Sequence, residues 1–196
     1  MTTTEVPTGF RQRLLEGMAA SIRERGYPET TVADIVRAAR TSRRTFYAHF
    51  ADRQECLAAL LYETNQRTIA RIVAAVDPAA GWETQVRQAI EGWISAAQAD
   101  PPITLAWIRD VPALGEARAR RFQRETMAGF VTLIQTLTDT PQLRAAGVRP
   151  PSPQTATILL GGLRELIATT VEDGDDVAAI IDPAAEATRL LLGPRG

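Results

Sequence analysis

The arginines of one short segment are the residues whose number and spacing point most directly to chemistry. Between residues 37 and 53 there are five arginines and one acid, whereas the whole chain of 196 residues has a net charge of −1. The five are Arg37, Arg40, Arg43, Arg44 and Arg53. A nearly neutral molecule does not attract a polyanion as a whole, so any binding of phosphates has to be local. The sequence therefore indicates one candidate anion-binding surface.

The residues on which enzymes rely are scarce. The chain has one histidine, His49, and one cysteine, Cys56, both in or next to the arginine-rich segment. There is no G-x-S-x-G nucleophile motif, no glycine-rich phosphate loop and no spacing typical of metal ligands. The sequence thus predicts no enzymatic activity, no cofactor and no metal site.

Cysteine usage and hydropathy indicate the compartment. A single cysteine cannot form a disulfide within the chain, which favours a reducing cytoplasm. No apolar run approaches the roughly 18 residues that span a membrane. Residues 1–7 lack the basic flank and the apolar core of a signal peptide. We therefore expect a cytoplasmic protein without membrane contact.

The spacing of apolar residues predicts helices along nearly the whole chain. Phe10, Leu14, Met18 and Ile22 recur every four residues, and Gly26 is placed to end that first helix. About nine such helices can be traced, with no convincing strand. The predicted fold is all-α, with a three-helix head over residues 1–52 and a helical body over residues 53–196.

Two short helices position the arginine-rich segment. Thr31 can cap the first with its hydroxyl, and Ser42 can cap the second, which runs to about Phe50. Only the tight turn Arg40-Thr41-Ser42 separates them, which is the spacing of a helix-turn-helix. Units of this kind place their second helix in the major groove of DNA.

That second helix has an apolar face and a polar face. At about 100° per residue, Phe46 and Phe50 lie within about 40° of each other, so both are expected in the core. Arg44 and Thr45 lie opposite them with Ala48, where they would meet base edges in the major groove. Three residues flank that face, near the groove walls and their phosphates: Tyr47, His49 and Arg43, the last within reach of bases as well.

The same stretch resembles the TetR family of bacterial repressors. The resemblance is carried by T-V-A-D-I at residues 31–35, S-R-R-T-F-Y-A-H-F at 42–50 and D-R-Q-E-C-L at 52–57, within about residues 10 to 60. It implies a homodimeric repressor whose two recognition helices bind double-stranded operator DNA. It also implies a ligand-binding and dimerisation role for the body, with a small hydrophobic effector.

The resemblance assigns roles within the head. It implies contacts with the phosphate backbone for Thr31, Ser42, Tyr47 and His49. It implies contacts with bases for Arg43, Arg44 and Thr45. Arg53 stands where the family usually has lysine, and because arginine keeps the charge, a phosphate contact is expected there too.

Arg40 departs from the family pattern, in which the turn between the two helices often carries glycine. If the backbone at this position is left-handed, arginine costs on the order of 1 kcal/mol relative to glycine. The sequence therefore predicts either a slightly different turn or a strained one, whose charge compensates by reaching a phosphate.

The stretch L-G-G-L-R-E-L-I, residues 160–167, indicates a helix that packs against another helix. Its two glycines allow two backbones to approach closely. The resemblance implies that this is the eighth helix, which pairs with the ninth across the dimer axis. The alternative is a core helix within one chain. The predicted interface residues are Leu159, Gly162, Leu163, Leu166 and Ile167.

Large apolar side chains of the body are candidates for the lining of an effector pocket. They are Trp93, Trp107, Phe122, Met127 and Phe130. Aromatic residues at helical spacing also occur in ordinary cores, so two alternatives to a ligand-responsive repressor stay open. One is a DNA-binding regulator with a filled body and no effector. The other is an enzyme built on the helical body, which would need convergent polar groups in a cavity.

Overall fold

The computed structural model describes residues 8–113 and 117–194, which form helices and connecting loops with no strand among them. This confirms the all-α prediction. The bounds of the eleven α-helices in this part of the chain are α1 (Thr8–Glu29), α2 (Val32–Ala38), α3 (Arg43–His49), α4 (Arg53–Ala75), α5 (Trp82–Ala99), α6 (Pro101–Leu105), α7 (Val111–Ala113), α8 (Ala117–Thr138), α9 (Pro141–Ala145), α10 (Pro153–Asp173) and α11 (Ile181–Leu192). A π-helical turn (Ala106–Asp110) follows α6, and a 3₁₀ turn (Val177–Ile180) precedes α11. The short α7 and α9 account for the excess over about nine predicted helices.

The chain separates into two compact units, Met1–Thr64 and Asn65–Gly196, and the division falls within α4. The predicted boundary, between residues 52 and 53, lies at the start of the same helix and stays a prediction. None of the described helices is both long and apolar enough to cross a membrane.

The N-terminal unit is built on a close contact between α1 and α2. A Cβ atom at Gly17 would lie 2.6 Å from the carbonyl oxygen of Ile35 and 3.0 Å from the backbone nitrogen of Ala39, so only glycine lets the two backbones come this near. Gly26, with φ of 77°, breaks the end of α1, as its position predicts. Phe46 is fully buried against this pair, which fixes the orientation of α3.

In the C-terminal unit, α5 packs mainly on α11, and α8 packs mainly on α10. Gly92 of α5 lies against α4, because a Cβ atom there would be 3.2 Å from the Cα of Ile72. The apolar faces of these long helices converge on one core. It includes the buried side chains Ile90, Trp93 and Phe130.

Candidate nucleic-acid interface and body cavity

A reciprocal capping box starts α2. The Thr31 hydroxyl accepts a hydrogen bond from the Asp34 backbone N–H at 3.3 Å, and the Asp34 carboxylate accepts from the Thr31 N–H at 3.0 Å and from its hydroxyl at 2.6 Å. The same carboxylate pairs with Arg37 at 2.7 Å and Arg25 at 3.4 Å. The Thr31 hydrogen bonds, aided by the two guanidiniums, lower the pKa of Asp34 to about 2. Thr31 is thereby held, exposed, at the first turn of α2.

Ser42 caps α3 in a similar way. Its Oγ accepts a hydrogen bond from the Thr45 N–H at 3.1 Å and lies 3.0 Å from the Thr45 Oγ1. The backbone of Ser42 is extended, with φ of −106°, so Ser42 is the N-cap and the helix begins at the next residue. The cap was expected from residue type alone. It fixes the first turn of α3, from which Arg43 and Arg44 project.

The buried and exposed residues of α3 follow the prediction in part, but Phe50 lies just outside the helix, as its C-cap with extended backbone. Phe46 and Phe50 are buried, with ring centroids 5.8 Å apart, while Arg44 is exposed and Thr45 half-buried. Tyr47 is 58% exposed and stands edge-on against the Phe46 ring at 5.3 Å. Because the Phe46 ring already restricts the Tyr47 side chain, binding through the exposed hydroxyl costs little further side-chain entropy.

His49 and Cys56 are the single histidine and the single cysteine of the chain, and both side chains are at least partly buried. The Nε2 atom of His49 is enclosed and has no hydrogen-bond partner among the described residues. Burial raises the pKa of the Cys56 thiol to about 12, so it stays protonated. Within the described residues there is no group of three or more possible metal ligands.

Three arginines of the turn and of α3 are exposed and uncompensated. Within the described part of the chain, Arg40, Arg43 and Arg44 take part in no ion pair. Arg40 has φ of 49°, the one positive φ among described residues other than glycine, which confirms the left-handed turn. A row of guanidiniums without acidic neighbours is a local positive surface of the kind that binds phosphates.

Arg53 has partners that the sequence does not reveal. Its guanidinium donates to the carbonyl oxygens of Pro28 at 3.1 Å, Tyr27 at 3.3 Å and Thr30, and lies 4.7 Å from the centroid of the Tyr27 ring. It therefore binds carbonyls of the chain that follows the Gly26 kink, at the end of α1. The expected phosphate contact would have to share or replace these bonds.

The body contains a partly open apolar cavity of about 80 Å³. Of the five predicted lining residues, Trp93 and Phe130 border it, with rings stacked 5.5 Å apart. Trp107 lies behind Phe130, with ring centroids 5.6 Å apart. Phe122 and Met127 are half-buried on α8 and are not among the lining residues. Sequence reasoning found the aromatic centre of the body but missed the leucines of α8 and α10 that complete the lining.

The faces of α10 differ from the predicted ones. Leu159, Leu163 and Ile167 are buried inside the chain, and the first two line the cavity. Gly162 is exposed, with no atom within 4 Å of where its Cβ would be, and Leu166 is half-buried. The exposed stripe of α10 contains Ile158, Gly161, Gly162 and Glu165, and Leu190 of α11 is 80% exposed. Periodicity identified an apolar helix but could not tell its inward face from its outward face.

Residues 14–60 match the family model described as bacterial regulatory proteins, tetR family. This match covers the capping boxes, the turn and the exposed face of α3 described above. The matched residues form a helix-turn-helix of the TetR family. The head is thus a DNA-binding unit, and the protein is a transcriptional regulator. No curated protein sequence matches the chain significantly.

Solved structures resemble this regulator over nearly its whole length. The fatty acid degradation regulator FadR from Bacillus halodurans has a TM-score of 0.78 at 19% identity, covering 93% of this chain and 94% of that one. FadR from Bacillus subtilis, solved in complex with stearoyl-CoA, has 0.77 at 17% identity, covering 94% and 99%. A TetR-family transcriptional regulator from Pectobacterium atrosepticum has 0.69 at 28% identity, covering 94% and 95%. The shared fold therefore includes the body as well as the head.

Proposed function

We propose that this regulator is a homodimeric repressor that binds operator DNA through α3 and releases it when a small, mainly hydrophobic effector enters the body. The observation that carries the proposal is the exposed face of α3. Arg43 and Arg44 stand there without ion-pair partners among the described residues, beside a braced and exposed Tyr47.

Base contacts and phosphate contacts divide along α3. Arg44 and Thr45 lie on the face opposite the buried phenylalanines, where they meet base edges in the major groove. Thr31, Ser42 and Tyr47 lie around that face and bind the phosphate backbone, which sets the register of the helix. His49 binds that backbone through Nδ1, because its Nε2 is enclosed. Arg43, at the first turn, reaches bases. Arg53 contributes positive charge, while its printed hydrogen bonds hold the end of α1.

The dimer forms through the exposed stripe of α10 together with α11. Ile158 is 68% exposed and Leu190 is 80% exposed, which is unusual for large aliphatic side chains. Gly161 and Gly162 leave open space beside them, so a second helix can approach closely. A twofold interface of this kind uses the same stripe on both subunits. Leu166, half-buried at the edge, borders it.

The cavity of the body is the proposed effector site. Its lining is almost entirely apolar, and it lies between α5, α8 and α10. The Bacillus subtilis relative of similar fold was solved with stearoyl-CoA, which supports an effector with an acyl-like apolar part. An effector with different affinity for the DNA-bound and DNA-free conformations shifts the balance between them.

A second candidate function, a regulator without an effector, is favoured by the modest volume of the cavity. At about 80 Å³ it holds only a few water molecules in this conformation. The two candidates are distinguished by whether a ligand bound in the body changes the affinity for DNA. Only an effector site couples these two binding events.

Selection of bound duplexes from a random pool tests the DNA-binding part of the proposal. We expect enriched sequences with two inverted half-sites about one helical turn apart, as a twofold dimer requires. The double variant Arg43→Ala/Arg44→Ala should enrich nothing, whereas Arg124→Ala, which removes an exposed arginine of α8, should behave as the unmodified protein does. A pool without inverted repeats would contradict dimeric recognition.

The repressor part is tested by transcription in vitro from a promoter that carries the selected sequence. We expect added regulator to reduce transcript in proportion to promoter occupancy. The same template with scrambled half-sites is the control. Increased transcription would identify an activator instead.

A further inference from the structure

Arg164 is a buried cation without an anionic partner. It lies on α10, one residue after the cavity-lining Leu163, and is only 9% exposed. Within the described residues its Nε–H has no acceptor, and the one hydrogen bond of the guanidinium runs from Nη1 to the Met127 thioether at 3.4 Å. A thioether is a weak acceptor, so most of the hydrogen-bonding capacity of this guanidinium is unused.

The acidic residues closest in sequence are already engaged elsewhere. Arg109, on the π-helical turn, donates to Glu165 at 2.7 and 3.0 Å and to Glu172 at 2.7 and 2.9 Å. These bonds lower the pKa of both carboxyl groups, so both stay ionised and bound to Arg109. Neither carboxylate lies within ion-pair distance of Arg164. A cation buried in this way is costly unless an anion joins it.

Arg164 does not itself line the cavity, but its neighbours on α10, Leu160 and Leu163, do. The Cζ atom of Arg164 lies 4.5 Å from the centroid of the Trp107 ring. That ring is in turn 5.6 Å from Phe130, which lines the cavity. Stacking on one face leaves the edge of the guanidinium available, and the edge is where it binds a carboxylate or phosphate with two parallel hydrogen bonds. Burial, and next the charge of Arg109, lower the pKa of Arg164, and the charge of Glu165 offsets part of this effect.

We propose that Arg164 binds the anionic head of an amphipathic effector whose apolar chain occupies the adjoining cavity. This rests on the proposed effector site and specifies its ligand as a carboxylate or phosphate ester with a short aliphatic chain. At about 80 Å³ the cavity is small, so probes with short aliphatic chains are suitable.

Calorimetric titration of the full chain with three eight-carbon probes tests the proposal. Octanoate and octyl phosphate carry the two kinds of anionic head, and 1-octanol is their neutral counterpart. At pH 7.5 we expect at least one anion to bind about 10-fold or more tightly than the alcohol, because a charge-assisted bond forms with a buried donor. The tighter of the two anions distinguishes a carboxylate from a phosphate head.

The variants Arg164→Met and Arg164→Lys locate the effect. Arg164→Met should remove the preference for the anion, leave 1-octanol affinity within about twofold and raise the melting temperature of the ligand-free protein. Arg164→Lys should retain part of the preference, and Arg124→Met, the same exchange on an exposed part of α8, should change nothing. A lower melting temperature for Arg164→Met would identify a structural arginine and overturn the proposal.

Failure of this proposal is separable from failure of the proposed function. Equal affinity for all three probes, or an anion preference that survives in Arg164→Met, overturns the role of Arg164 and leaves an apolar effector site standing. If none of the three probes binds, the amphipathic ligand is overturned as well. Operator selection is independent of all these outcomes.

Discussion

Arg40 occupies the turn between α2 and α3 in a backbone conformation that suits glycine, with φ of 49°. The exchange Arg40→Gly should therefore raise the free energy of unfolding, by up to about 1 kcal/mol. Arg40→Ala is the matched control, because it removes the charge but keeps the Cβ atom that causes the strain. Chemical unfolding of the three proteins measures the difference. If the alanine variant gained as much as the glycine variant, repulsion among arginines would be responsible and not the backbone.

Arg44 is the residue on which sequence preference is expected to depend most. Arg44→Ala should reduce the affinity for the selected operator by about 1–3 kcal/mol and reduce the affinity for a scrambled duplex much less. Tyr47→Phe removes a proposed phosphate contact and should weaken both duplexes to a similar degree. Titration of both duplexes at one fixed salt concentration provides the comparison. Equal losses on both duplexes for Arg44→Ala would exclude base recognition by this residue.

Residue type alone predicted some of these positions and not others. The caps at Thr31 and Ser42 follow from local chemistry, which depends on few neighbours, whereas the left-handed backbone at Arg40 was suggested only by the glycine that the family often has there. The partners of Arg53 and Arg164 lie more than 20 residues away in the chain, so they depend on how helices pack. Sequence reasoning identified Arg53 as a cation but had no means of placing the carbonyls of α1 beside it.

Among the helices of the head, α1 and α2 depend on one glycine for their close packing. Gly17→Ala would place a methyl group 2.6 Å from the Ile35 carbonyl oxygen, and backbone cannot move aside cheaply. We expect a loss of about 1–3 kcal/mol in unfolding free energy. Gly9→Ala, in the same helix with no atom near its Cβ position, is the control. It should be neutral or stabilising, because alanine favours a helix more than glycine does. Similar losses for both variants would contradict the packing argument.

At the scale of elements, periodicity was informative where a helix has one apolar face and ambiguous where it has more. On α3 the two phenylalanines mark the core, and the structure buries both. On α10 leucines and isoleucines occur on several faces, so Leu159 and Leu163 could equally belong to a core or to an interface. The apolar residues of α10 left a dimer interface and a core helix as alternatives, and packing against α8 places Leu159 and Leu163 in the core.

Assembly of the whole molecule depends, in our proposal, on the exposed stripe of α10. Gly162→Phe should leave the fold of the single chain intact, since no atom of the described chain lies within 4 Å of the new Cβ. It should shift the protein from dimer to monomer and weaken operator binding in parallel. Gly162→Ala, which adds little volume, should stay dimeric. Sedimentation at micromolar concentration measures both. An unmodified protein that sediments as a monomer would contradict the dimer.

The head and the body are coupled only if the effector and operator DNA favour different conformations of the molecule. Whichever probe of the three binds most tightly should then reduce operator affinity, by a factor of about 5 to 150 if the coupling is of ordinary size. Thermodynamic linkage requires that saturating operator DNA weaken binding of the same probe by the same factor. Calorimetry with and without operator provides one factor, and operator titration with and without probe provides the other.

Arg164→Met should reduce the probe's affinity without changing the operator affinity of the ligand-free protein, because Arg164 lies in the body. A probe whose affinity is unchanged by saturating operator would show that the cavity binds ligands without regulating DNA, and the regulator without an effector would then be the correct description.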